Sequence, residues 1–69
     1  MSQTLTVNGQ PRASAAATVA ALLTEEGVSL EAKGVAVALN GAVVRRIEWS
    51  ITGLSSGDTV EIVKPFSGG

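Results

Sequence analysis

Gly34-Val35-Ala36-Val37-Ala38-Leu39-Asn40-Gly41-Ala42-Val43-Val44, residues 34–44, reads as a strand, a tight turn and a returning strand. In an extended chain successive side chains point to opposite faces, so Val35, Val37 and Leu39 share one face and Ala36 and Ala38 the other. No charge interrupts the run. That predicts a central strand rather than a border strand. Asn40-Gly41 tolerates the positive φ angles of a tight hairpin turn, and Ala42-Val43-Val44 can pair back.

Toward the N-terminus lies a helix. The Thr18 hydroxyl can accept a bond from a free backbone N–H. Val19, Leu22 and Leu23 then fall at i, i+3 and i+4 and form one apolar stripe. Gly27 suits the left-handed position after a helix end, which predicts a helix over residues 19–26. So short a helix is unstable alone in water and needs a sheet to lie on. Before it, Leu5 and Val7 alternate with Thr4 and Thr6, Asn8-Gly9 repeats the hairpin-turn signal, and residues 10–14 can return as a strand. Pro11 confines that strand to an edge.

Toward the C-terminus, residues 45–54 read as an irregular segment wrapping an edge, with Trp49 or Ile51 tucked inward. Ser55-Ser56-Gly57-Asp58 is a turn cluster. Residues 59–64 form the last strand, with Val60 and Ile62 on one face. Pro65 has no N–H, so regular pairing stops there. The order is hairpin, helix, strand, turn, strand, irregular segment, strand. Its simplest packing is α+β: a mixed sheet of about five strands with one helix packed across it. This is the ubiquitin-like β-grasp arrangement. Residues 1–64 make the domain, and residues 65–69 make a flexible tail.

The 69-residue length and 45% hydrophobic content fit one small domain, which buries only about 60% of its unfolded surface. Zero cysteines exclude disulfides and thiolate metal sites. The start resembles no signal peptide, and no apolar run approaches the roughly 20 residues of a membrane span. These features fit a cytoplasmic protein. A net charge of −1 argues against a nucleic-acid surface.

The chain contains no Cys, His or Tyr, so the terminal carboxylate is the best candidate for a reacting group. Glycine lacks Cβ, and Gly68-Gly69 can enter a narrow channel closed to other residues. From Val63 to Gly69, extended residues reach about 20 Å, enough to enter a partner's active site. The carboxylate is ionised and a poor electrophile, so it must be activated, for instance as an acyl-adenylate. Without a Gly-rich phosphate loop or His, the chain cannot do this itself, and a partner enzyme is implied.

Thr18-Val19-Ala20-Ala21-Leu22-Leu23, Val35 to Gly41, Val43-Val44-Arg45-Arg46-Ile47-Glu48-Trp49, Leu54, Gly57 to Val63 and Gly68-Gly69 together resemble the ThiS-type sulfur carriers of thiamine biosynthesis. The resemblance implies that the chain is no enzyme and binds no cofactor. A ThiF-type, E1-like adenylyltransferase would use ATP and magnesium to adenylate Gly69. Sulfur from a cysteine desulfurase persulfide would displace AMP and give a thiocarboxylate. A ThiG-type thiazole synthase would take that sulfur. Ser67 and Gly68 would thread with Gly69 into the partner. Alternatives are the small subunit of molybdopterin synthase, another biosynthetic sulfur carrier, a non-reactive binding module and a covalent protein modifier.

Three further positions are candidate partner contacts. Phe66 can anchor on the activating enzyme or fold back on the sheet edge. Arg46 can pair with an acidic partner patch, or with Glu48 or Asp58. Val63, with Ala36, Ala38 and Glu61, falls on the sheet face opposite the helix, which predicts a flat, small-residued docking face. Trp49 reads as core, and Asn40 and Asp58 as turn residues. Glu25 and Glu26 sit where the helix dipole disfavours them.

Overall fold

A computed structural model describes residues 3–64. It contains strands β1 (Gln3–Val7) and β2 (Gln10–Ser14), helix α1 (Val19–Glu25), strands β3 (Ala36–Leu39) and β4 (Ala42–Val44), a 3-10 turn at Arg46–Glu48, and strand β5 (Thr59–Val63). The sheet order is β2-β1-β5-β3-β4. β1 and β5 run parallel, and the other neighbours are antiparallel. The helix buries Val19, Ala20, Leu22 and Leu23. They share a core with Leu5, Val7, Val37, Val44, Trp49, Val60 and Ile62. This is the mixed, five-stranded β-grasp that the element order predicts.

The charge-free β3 does lie inside the sheet, but the middle strand is β5. β5 carries Glu61 on its exposed face, and that is tolerated because Glu61 lies in the antiparallel pairing with β3, opposite Ala38, and antiparallel pairs can leave one face to water. The ends also shift by a residue. β3 starts at Ala36, β5 stops at Val63, and Glu26 caps the helix instead of continuing it.

Residues 45–54 cross from the edge strand β4 over the start of the helix and on to β5. The first helical N–H groups have no partner within the helix. Here Val19 N–H donates to the Thr52 carbonyl at 3.0 Å and Ala20 N–H to the Trp49 carbonyl at 2.9 Å. Ala21 N–H donates to the Thr18 hydroxyl at 3.2 Å, as its capping role predicts. Trp49 is the inward residue, 3% exposed, while Ile51 is 77% exposed.

Both Asn-Gly turns hold β5. Asn8 and Asn40 each have φ +50, in the left-handed region their turns require. Thr6 N–H donates to Asp58 O and Asn8 N–H to Val60 O, each at 2.9 Å. The chain then turns away at Gly9, and the Asn8 side-chain amide supplies the next rung. Its Nδ2 donates to Ile62 O at 3.1 Å, and its Oδ1 accepts from Ile62 N–H at 2.7 Å. Asn40 acts at the other end, accepting from Thr59 N–H at 2.9 Å and donating to the Asp58 carboxylate at 3.0 Å.

Asn8→Gly keeps the turn geometry but deletes that rung. It is expected to cost about 1–2 kcal/mol in urea denaturation. Asn8→Ala, strained in the left-handed region, should cost about 1 kcal/mol more. Wild-type stability in both would contradict the assignment. Asp58 gives a pH test. The Asn40 amide, and then the Ser55 N–H, hold its carboxyl below the usual range against a smaller opposing effect of burial. A depressed value adds stability above the unfolded pKa of about 3.9, lost as pH falls through the folded value. The urea midpoint of the wild type should therefore fall more steeply below about pH 4 than that of Asp58→Asn. Equal slopes would contradict this.

Candidate functional site

The site is built from the C-terminal end of β5. Antiparallel pairing sets Ala36 opposite Val63 and Ala38 opposite Glu61. On the other side of β3, Ala38 faces Val43. Val60 and Ile62 point into the core, so the alternation puts Glu61 and Val63 on the face opposite the helix. Ala36, Ala38 and Val43 share that face. Val63 is 62% exposed and Val43 is 78% exposed. The positions between them on β3 are Ala36 and Ala38, and Glu61 flanks Val63 along β5. No pocket opens among the described residues. The open face expected opposite the helix is present, with Val63 on it at the end of β5.

Arg46 does not make the surface ion pairs considered for it. Its guanidinium donates to the carbonyls of Leu30 and Ala32 and lies 4.7 Å from the centroid of the Trp49 ring. The Asp58 carboxylate is occupied by Asn40 and by Ser55 N–H. The planar fork of an arginine can serve two carbonyls and cover an aromatic face at once. Arg46 therefore fastens the loop before β3 to the segment after β4. The sequence signal was Arg46 three residues before Trp49, but its second partner, the loop of residues 28–33, is visible only in three dimensions.

Sequence reasoning also left Glu25 and Glu26 unexplained. Both reach Arg12 on the edge strand β2: Glu25 Oε1 lies 3.9 Å from Arg12 Nη2, and Glu26 is in direct contact with its guanidinium. The buried Ser14 hydroxyl donates to Glu25 at 2.8 Å. The two acids tie the helix end to the first hairpin, which offsets the unfavourable dipole.

Phe66, Ser67, Gly68 and Gly69, and the boundary of a flexible tail at residue 65, lie outside the described residues. Among the described residues no group of three His, Cys, Asp or Glu side chains could hold a metal. No helix is long and apolar enough to cross a membrane.

The comparison with known proteins agrees with this geometry. Residues 5–69 match the ThiS family. The chain belongs to the ThiS family. The match includes the last strand and extends to Gly69. Two solved structures are similar to it, both of a thiamine biosynthesis protein from Geobacter metallireducens. The crystal structure, named ThiS, shares 37% identity with a TM-score of 0.77, covering 97% of this chain and all of that one. The solution structure shares 37% identity with a TM-score of 0.78, covering 97% of this chain and 88% of that one. No curated protein matches the chain.

Arg46→Ala removes both carbonyl bonds and the cover over the Trp49 ring. It is expected to cost about 1–2 kcal/mol and to shift Trp49 fluorescence to the red. Unchanged stability and emission would leave Arg46 as a free surface charge instead.

Proposed function

We propose that the chain is a sulfur carrier of thiamine biosynthesis, with the Gly69 carboxylate as its reacting group. A ThiF-type adenylyltransferase joins that carboxylate to the AMP portion of ATP, with magnesium, and releases pyrophosphate. Persulfide sulfur from a cysteine desulfurase relay attacks the acyl carbon and expels AMP. Two electrons from a thiol reductant then free the thiocarboxylate. A ThiG-type thiazole synthase takes the sulfur for thiazole formation. The carrier is spent and regenerated, so it is a co-substrate and not an enzyme.

The observation that supports this most is the family match running to the last glycine, joined to a β5 whose end is held on both sides. With no Cys in the sequence, no internal thiol competes for the activated carbonyl. The tail is long enough to reach into a partner while Ala36, Ala38, Val43 and Val63 rest on its surface. Burial of such a face favours association at roughly 25 cal/mol per Å² of apolar area, less the cost of ordering both partners.

Intact mass after incubation with ATP, magnesium, the adenylating enzyme and a sulfur source tests the reading. The expected result is a gain equal to one sulfur replacing one oxygen, located on the C-terminal peptide. Deleting Gly69 should abolish the gain while leaving the circular dichroism spectrum unchanged. No gain in the wild type with an active partner, or a gain that survives the deletion, would contradict the proposal.

A further inference from the structure

The five Lys and Arg residues are not spread evenly. Arg12 is held by Glu25 and Glu26 on the first hairpin. The other four gather at the end of the sheet where β5 stops. Lys64 follows Val63, which pairs with Ala36. Arg45 follows Val44, which pairs with Val37, so it comes level with Ala36 on the far side of β3. With strands about 4.8 Å apart, Lys64 and Arg45 are anchored roughly 10 Å from each other across β3. Lys33 precedes β3 itself, directly after Ala32, whose carbonyl receives Arg46.

Lys33, Arg45 and Lys64 are exposed, and none is in an ion pair with a described residue. Arg46 is committed to the loop carbonyls, so it fixes Lys33 beside this end of the sheet while keeping its own charge there. Glu31 and Glu48 on the flanking segments, and Glu61 on the open face beside Ala38, offset most of the charge, but the four cations still exceed the three acids. The chain as a whole carries net −1. The described part of the protein is thus polarised, with its positive end where β5 stops.

We infer that this basic collar docks on an acidic protein surface surrounding the entrance of the adenylating enzyme's active site. The inference rests on the carrier reading above and adds the partner's surface chemistry to it. Reach separates this from direct contact with the nucleotide. When residues 65–69 are extended, Gly69 lies about 17 Å beyond Lys64. That is about twice the Debye length of roughly 8 Å at physiological ionic strength. Phosphates at the terminal carboxylate are therefore screened from the collar, whereas the rim of the entrance meets it. The collar also borders the open face at Ala36 and Val63, so both can engage one partner surface. Long-range attraction of this kind acts mainly on the association rate and orients the encounter.

The test uses the adenylating enzyme with which the wild-type chain shows the sulfur mass gain. Association is measured by stopped flow at low and high salt. Lys33→Gln, Arg45→Gln and Lys64→Gln are combined, with circular dichroism to establish folding. The triple variant should associate about tenfold more slowly at low salt and should show a shallower salt dependence. At saturating enzyme it should still gain the full sulfur mass. Arg45→Gln alone and Ser56→Asp lower the net charge equally at opposite ends of the sheet, and only the first should slow association. Unchanged rates in the triple variant, or equal slowing by Ser56→Asp, would overturn the collar while leaving the carrier reading intact. Absence of the mass gain in the wild type would instead remove the carrier reading.

Discussion

The capture of β5 between β1 and β3 holds the two halves of the sheet together. β5 is the middle strand, and its buried residues Val60 and Ile62 join both halves of the sheet to the helix. Parallel pairing with β1 covers only two register positions, Thr6 with Thr59 and Val7 with Val60. The Asn8 amide extends that grip to Ile62 after the backbone has turned away. Asn40 closes the other end at Thr59. A hairpin turn needs a residue that accepts positive φ, and asparagine meets the need. Unlike glycine, it also brings an amide with a donor and an acceptor. One residue type therefore turns the chain and pins the neighbouring strand.

The helix and the crossing segment depend on each other in the same way. A seven-residue helix leaves most of its N–H groups at its start without helical partners. Residues 49–54 supply two carbonyls to them while Trp49 fills the core and donates its indole N–H to Val44 O at 3.0 Å. Arg46 then covers the Trp49 ring from outside and draws in the loop of residues 28–33. A small protein without disulfides gains its order here from polar groups that each satisfy two needs.

Much of this was legible in the sequence because it rests on local chemistry. Alternation in residues 35–39 placed Val37 inward and Ala36 and Ala38 outward. Asn8-Gly9 and Asn40-Gly41 marked both hairpins, and Thr18 marked the helix start. The family resemblance was carried by residues spread along the chain. What the sequence did not disclose depends on long-range pairing. That β5 rather than β3 is central follows from a parallel contact between the two ends of the chain. The Arg12 pairs with Glu25 and Glu26 need the first hairpin folded onto the helix, and the Arg46 bridge needs two distant loops side by side. The open face was inferred correctly because strand alternation alone defines it. The collar was not, because its members belong to three separate strand ends.

β5 is fixed to its last paired residues, so whatever follows Val63 starts from a rigid support. Native-state hydrogen exchange measures this directly. The Val60 and Ile62 amides should exchange only through global unfolding, with the same opening free energy as Val37 in β3. Exchange of Ile62 by a much cheaper local opening, while Val37 stays protected, would contradict it.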